Sequence, residues 1–287
     1  MGRNAHSPRP RLGVVKLASC DGCQLTLLDL EDALLAIAER IDIVEFAEAS
    51  SHRSSGPYDI VLVEGAVSTG EQLEQIHEVR RQAKLLVTIG ACATAGGIQA
   101  MRNWGDHDLI RAGVYAHPEY VESLATAQPV ADYVKVDAEL RGCPISADQL
   151  VEFVTALLTG RRPHLPDEAV CAACKRAGRV CVMVAKGIPC LGPVTMTGCG
   201  VLCPGFDRGC YGCFGPREQA NAKGLSEYLI ALGRPAAETG RLFAGFNGYA
   251  EPFRTAVTDL GGNPIAGRGR AAIGGTSGTQ ERPGGRA

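Results

Sequence analysis

Through the first half of the chain, short continuous apolar runs alternate with segments whose apolar residues recur every three or four positions. "RLGVVKLA", "IDIVEFA", "YDIVLVEGAV" and "KLLVTIGAC" read as strands buried on both faces. "CQLTLLDLEDALLAIAER" and "EQLEQIHEVRRQA", lying between them, read as helices. In the first of these, Leu27, Leu30, Leu34 and Ile37 fall at helical spacing, which predicts one helix with a single buried face. "YVKVD", residues 133–137, predicts a further strand. Ser146 followed by Gln149 is a capping-box pattern for a later helix that stops at Gly160. The alternation predicts an α/β fold, a flavodoxin-like doubly wound parallel sheet over residues 11–162.

The pattern then changes. "GRRPHLPDEAV" has two prolines and no apolar period, so it reads as a linker. Residues 163–250 read as a small, irregular Cys-rich domain that ends on a closing helix within "REQANAKGLSEYLIALG". A segment that buries so little apolar surface needs another source of stability, and metal groups supply one. The stretch 267–287, rich in Gly and Arg, predicts a disordered tail. No long internal repeat is present.

The formal net charge is -2 and the pI is near 6.3, with no basic excess to suit nucleic acid or an anionic membrane. No apolar run is long enough for a membrane span and no secretory h-region precedes the first strand, so a cytoplasmic protein is expected. Against that background, 12 cysteines are the informative abundance, because cytosolic thiols more often hold metals or do redox chemistry than form disulfides.

Their positions carry the chemistry. Cys20 and Cys23 form "CDGC" after the first strand, Cys92 lies in "GACATAGG" after another, and Cys143 lies in "RGCP". Loops at the carboxyl ends of parallel strands converge, so these three loops can deliver two, one and one thiolates to a single four-ligand centre. A thioredoxin-type pair would leave the other two loops unexplained. Zinc remains a competitor, although structural zinc more often takes two close pairs. The remaining eight cysteines divide into Cys171, Cys174, Cys181 and Cys190, then Cys199, Cys203, Cys210 and Cys213. Each quartet holds one Cys-x-x-Cys pair and two wider ligands, enough for two 4Fe-4S clusters, with two zinc sites as the alternative.

The ordered motifs "CDGC", "GACATAGG", "RGCP", "PCLGPVTMTGC" and "CYGCFGP" resemble the small, electron-transferring subunit of nickel-iron hydrogenases, and more distantly the cluster-bearing 20 kDa subunit of NADH:ubiquinone oxidoreductase. The likeness covers about residues 12–216 and leans toward the delta subunit of cytoplasmic NAD(P)-linked hydrogenases, or sulfhydrogenases. The resemblance implies a proximal 4Fe-4S cluster on Cys20, Cys23, Cys92 and Cys143. It implies a distal one on Cys171, Cys174, Cys181 and Cys190, and a medial one on Cys199, Cys203, Cys210 and Cys213. Membrane-associated relatives have His where Cys171 stands and often Pro where Cys203 stands, so a fourth thiolate here implies a medial 4Fe-4S cluster rather than 3Fe-4S.

"GCYGC" lacks the Asp-Pro context of the family's nickel ligands, and "GACATAGG" lacks the dinucleotide fingerprint. The nickel-iron centre and FAD/NAD(P) are therefore expected on partner subunits: a hydrogenase large subunit, and flavin/NAD(P)-binding and iron–sulfur subunits. No residue of this chain is assigned a catalytic role. Glu64 is left between a role in proton movement or subunit contact and a solvated or capping one. Two alternatives remain for the whole: a subunit of a deazaflavin- or heterodisulfide-linked hydrogenase, and a ferredoxin-like or zinc-stabilised interaction module.

Overall fold

The structure, a computed structural model, describes residues 9–263. Five strands, β1 (Arg11–Lys16), β2 (Asp42–Phe46), β3 (Tyr58–Glu64), β4 (Ala83–Ile89) and β5 (Ala138–Leu140), form one parallel sheet in the order β2-β1-β3-β4-β5. This is the flavodoxin-like order, and its reversal of direction between β1 and β3 opens a crevice at the carboxyl edge. The expected tail at 267–287 lies outside the described residues.

Alternation along the strands divides the core in two. Ile60 and Leu62 of β3 join Leu12, Val14 and Ile89 on one face, under α1 (Gly22–Leu28), α2 (Asp32–Ala38) and α6 (Ala147–Leu158). Val61 and Val63 join Ile76 and Val79 of α3 (Gly70–Gln82) on the other. From α6, Leu150, Phe153 and Val154 are buried, each worth roughly 1.5–3 kcal/mol for leaving water. Ser146 caps this helix by accepting the Gln149 N–H, and Thr69 caps α3 by accepting that of Gln72.

Two expected elements differ. The predicted single helix after β1 is broken between α1 and α2, where Glu31 takes φ 49°. The turn brings Leu27 and Leu30 before it, and Leu34 and Ile37 after it, round one apolar cavity of about 20 Å³ shared with Leu12, Val14 and Phe46. The strand expected at 133–137 is instead a connection, and pairing begins at Ala138. Asp137 explains the shift, since its carboxylate accepts the Leu86 N–H at 2.9 Å and occupies the place a strand carbonyl would take.

α4 (Gly90–Ala95) follows β4 directly, and α5 (His107–Val114) lies further along on the surface. After α6 come three short helices, α7 (Val170–Arg176), α8 (Val182–Lys186) and α9 (Leu202–Gly205), packed round Val170, Val182, Cys190, Val201 and Cys210. The expected closing helix is α10 (Ala222–Ala231), and two more follow it, α11 (Ala236–Phe243) and α12 (Glu251–Asp259). Leu225, Leu229, Phe243, Phe253 and Val257 join these three over Leu191 and Val194, so the irregular segment rests on a helical core of its own.

Candidate metal centres

Each loop at the carboxyl edge is shaped by a backbone conformation that few residues tolerate. After β1, Asp21 adopts φ 68° immediately before α1, held by Lys16 Nζ at 2.6 Å and by Ser19 Oγ at 3.2 Å. After β4, Gly90 takes φ 83°, and a Cβ there would lie 2.4 Å from Cys23 Sγ. Only glycine satisfies both demands. The Ala91 N–H donates to Gly142 O at 2.7 Å and ties the Cys92 loop to the Cys143 loop.

Cys20, Cys23, Cys92 and Cys143 are thereby brought together. Cys23 feels the charge of Cys92 and Cys143, Cys92 that of Cys143 and Cys20, and Cys143 that of Cys20. The second quartet is likewise mutual: Cys171 feels Cys190, Cys181 and Cys174, and Cys174 feels Cys190 and Cys181. In the third, Cys213 feels Cys199 and Cys203, while Cys210 feels Cys190 of the second quartet ahead of Cys213.

The three quartets form a row. Cys213 feels Cys143 of the first, whose backbone N–H faces its sulfur. At the other end, the Cys210 N–H donates to Cys190 Sγ at 3.2 Å, and Cys203 also feels Cys190. The Cys199–Cys213 quartet therefore lies between the other two. Cys20 and Cys181 are exposed, while Cys23, Cys190 and Cys210 are buried.

The donor set fits a metal group. Burial first, then the neighbouring sulfurs, push the Cys92 thiol up to about 12, and burial heads the causes that push Cys210 and Cys213 to about 12 and Cys171 to about 11. Four such thiolates are unfavourable together until a cationic centre compensates them. The surrounding backbone already points donors at sulfur: Gly192 N–H reaches Cys190 Sγ at 3.4 Å, and Gly212 N–H reaches Cys210 Sγ at 3.4 Å. Such amide bonds tune thiolate-held clusters. Among the described residues, no group of three or more His, Cys, Asp or Glu is arranged to hold a single metal ion.

Glu64 is neither solvated nor exposed. At 2 % exposure its Oε1 accepts the Cys23 N–H at 3.1 Å and its Oε2 accepts Gln24 Nε2 at 2.9 Å. It thus caps the start of α1 from a different strand. Burial pushes its carboxyl above the usual range, against the pull of those two donors. Three other supports went unrecognised in the sequence. Gln24 is fully buried, Gln99 Oε1 lies 3.3 Å from Cys92 Sγ, and Asn247 Nδ2 donates to Gly212 O and Cys213 O. Gln24 adjoins "CDGC", a weak signal; Asn247 lies 34 residues from Cys213 and carried none.

A doubly wound sheet with four cysteines on its carboxyl edge, continued by eight more in a row, defines the class of cysteine-rich redox subunits. Known proteins agree. The family described as NADH ubiquinone oxidoreductase, 20 Kd subunit, matches residues 20–157. The chain is 38% identical over 219 residues to sulfhydrogenase 2 subunit delta of Pyrococcus furiosus, covering 76% of this chain and 92% of that one. It is 30% identical to a subunit of the vhu F420-non-reducing hydrogenase of Methanocaldococcus jannaschii, covering 84% and 95%. It is also 28% identical to the NAD-reducing hydrogenase HoxS subunit delta of Cupriavidus necator, covering 54% and 82%. Among solved structures, a chain of an NAD+-reducing [NiFe]-hydrogenase in the H2-reduced state aligns with TM-score 0.52 at 32% identity, covering 55% of this chain and 96% of that one. The chain belongs to the nickel-iron hydrogenase small-subunit family, to which the 20 kDa NADH:ubiquinone oxidoreductase subunit is related.

Proposed function

We propose that this chain is the electron-transferring small subunit of a cytoplasmic nickel-iron hydrogenase. It passes electrons between an H2-activating large subunit and a flavin/NAD(P) module. Three 4Fe-4S clusters, held by the three quartets, would supply one-electron exchange. The observation that carries this reading is the row itself: the Cys143 N–H faces the Cys213 sulfur and the Cys210 N–H donates to Cys190 Sγ at 3.2 Å, a contiguity that a relay requires and three independent zinc staples do not.

Within this reading Cys20, Cys23, Cys92 and Cys143 hold the proximal cluster. Cys199, Cys203, Cys210 and Cys213 hold the medial one, and Cys171, Cys174, Cys181 and Cys190 the distal one. The chain's own work is to position and insulate. Gly90 and Gly97 let backbone approach the sulfurs, where a Cβ would fall 2.4 Å from Cys23 Sγ and 2.5 Å from Cys92 Sγ respectively. No helix among the described residues is long and apolar enough to cross a membrane. Among the relatives, several are subunits of F420-non-reducing hydrogenases and one belongs to an NAD-reducing hydrogenase, and the latter supports NAD(P) as the acceptor.

Anaerobic purification of the complex, with iron, nickel, zinc and sulfide counted, tests the proposal. About twelve irons are expected on this chain, with nickel on a larger co-purifying chain. A monomer carrying zinc and no iron would sink the hydrogenase reading.

A further inference from the structure

One sulfur of the first quartet is met in a way that the other quartets do not share. Cys190 Sγ takes N–H groups from Gly192 and Cys210, and Cys210 Sγ takes that of Gly212, all backbone donors fixed by the path of the chain. Cys92 Sγ is met by a side chain, Gln99, whose Oε1 lies 3.3 Å away. Among the described residues, no backbone N–H comes within hydrogen-bond distance of this sulfur.

The fold presents Gln99 to Cys92 from a pinned segment. Gly96 and Gly97 take φ 77° and 60° in succession and reverse the chain over Cys92, where a Cβ on Gly97 would fall 2.8 Å from Cys92 Cα. The 3-10 helix that follows, Ile98–Trp104, is held by Asn103, a fully buried side chain that exchanges two hydrogen bonds with the backbone of Ala127. At the other end of the Gln99 amide, Nε2 donates to Ala18 O at 2.8 Å, two residues before Cys20. One amide thus spans the loops that carry Cys20 and Cys92.

The orientation suits a thiol. A Cys92 S–H donates to Oε1, but once Cys92 has given up its proton to hold a metal group, Oε1 faces a negative sulfur and has nothing to accept. A half-turn of the terminal amide exchanges its two ends and sets an Nε2–H against Sγ. The bond to Ala18 O is lost in the turn, yet that carbonyl stays satisfied because it also accepts the Ala66 N–H at 2.9 Å. A donor to a charged acceptor is roughly twice as strong as one between neutral groups, so the balance favours the turned amide.

We propose that Gln99 is a positioning residue for electron transfer: its amide turns to donate to Cys92 and raises the reduction potential of the group on the sheet edge. The proposal rests on the relay reading above and adds the residue that tunes its first step. Reduction brings one electron and no proton, and the added negative charge spreads onto the sulfurs, so a donor at Cys92 stabilises the reduced form more than the oxidised one. Because this donor is a side chain, a single substitution removes it without moving the backbone.

The test is a redox titration, followed by EPR, of the complete, anaerobically purified complex in wild type and in Gln99→Leu. The midpoint of one group alone should fall, with the ratio of its reduced to oxidised form at fixed potential dropping about tenfold, or about 59 mV for one electron. The other two midpoints should stay in place, and the iron count should be unchanged. Should the Leu variant lose iron, Gln99→Glu, which keeps the size and has no donor when ionised, should lower the same midpoint at high pH. Midpoints unmoved or raised, equal shifts at all three groups, or iron lost from both variants would overturn the role of Gln99. A wild-type complex without reducible iron–sulfur signals would instead sink the relay reading.

Discussion

The carboxylate of Glu64, at the end of β3, accepts the backbone N–H of Cys23 on α1 at 3.1 Å, across a gap of 41 residues in sequence. This bond fixes the first loop of the site to the strand beside it at the point where the sheet changes direction. Its second oxygen holds Gln24, whose own Oε1 is buried without a partner.

That pairing separates two substitutions. Glu64→Gln keeps an acceptor for Cys23 and brings an amide that Gln24 can meet by turning its own amide over, so stability should change little. Glu64→Ala leaves buried donors unsatisfied and should cost about 1–3 kcal/mol. Chemical denaturation of the iron-loaded complex distinguishes the two; equal losses would show that Glu64 acts through its charge alone.

Gly90→Ala places a Cβ 2.4 Å from Cys23 Sγ in a backbone conformation at φ 83°. We predict selective loss of the metal group on the sheet edge, with iron falling by about four per chain while the other two groups persist. Iron analysis with EPR of the reduced protein reads this directly. Loss of all iron would mean that the three groups do not form separately.

Cys203→Pro should convert the middle group to three irons and produce a new EPR signal after oxidation. Cys203 feels Cys199 and the neighbouring Cys190, so a reassignment to the outer quartet would instead perturb the group near Cys181. An unchanged spectrum would remove Cys203 from the ligands.

At the opposite edge of the sheet, the Lys84 ammonium and then the Arg11 backbone N–H hold Asp59 below the usual carboxylate range, at 2.7 and 2.8 Å. A carboxyl lowered in the folded state adds stability above its unfolded pKa and loses it as the pH falls through the folded value. Asp59→Asn should therefore destabilise by under about 1 kcal/mol at neutral pH, since Asp59 is 32% exposed. The difference from wild type should shrink below about pH 4. Thermal melts at both pH values provide the check, and a constant difference would assign the effect to hydrogen bonding without charge.

The residues differ in how plainly the sequence declares them. The sheet was legible because β1, β3 and β4 are buried on both faces and read as unbroken apolar runs. The grouping of the cysteines was legible because loops after parallel strands must meet. The break at Glu31 was not, since the leucine spacing is equally satisfied by one helix or two, and only the shape of the cavity under Leu27 and Ile37 decides. The strand at 133–137 misled because its Val-rich pattern suits pairing, while Asp137 takes the ladder position with its side chain. Glu64 stayed ambiguous for a different reason: a strand-end glutamate reveals its burial only when the neighbouring strand and helix are in place.

The Cys210 N–H that reaches Cys190 Sγ, together with the Leu191 N–H that reaches Cys210 O at 3.0 Å, has a consequence for how the protein matures. Two quartets joined through backbone in this way hold each other's loops in place. Loading one draws the other's loop toward its final path, so filling should be cooperative and half-loaded chains scarce. When iron is short, these two groups should then be found filled or empty together, independently of the group on the sheet edge.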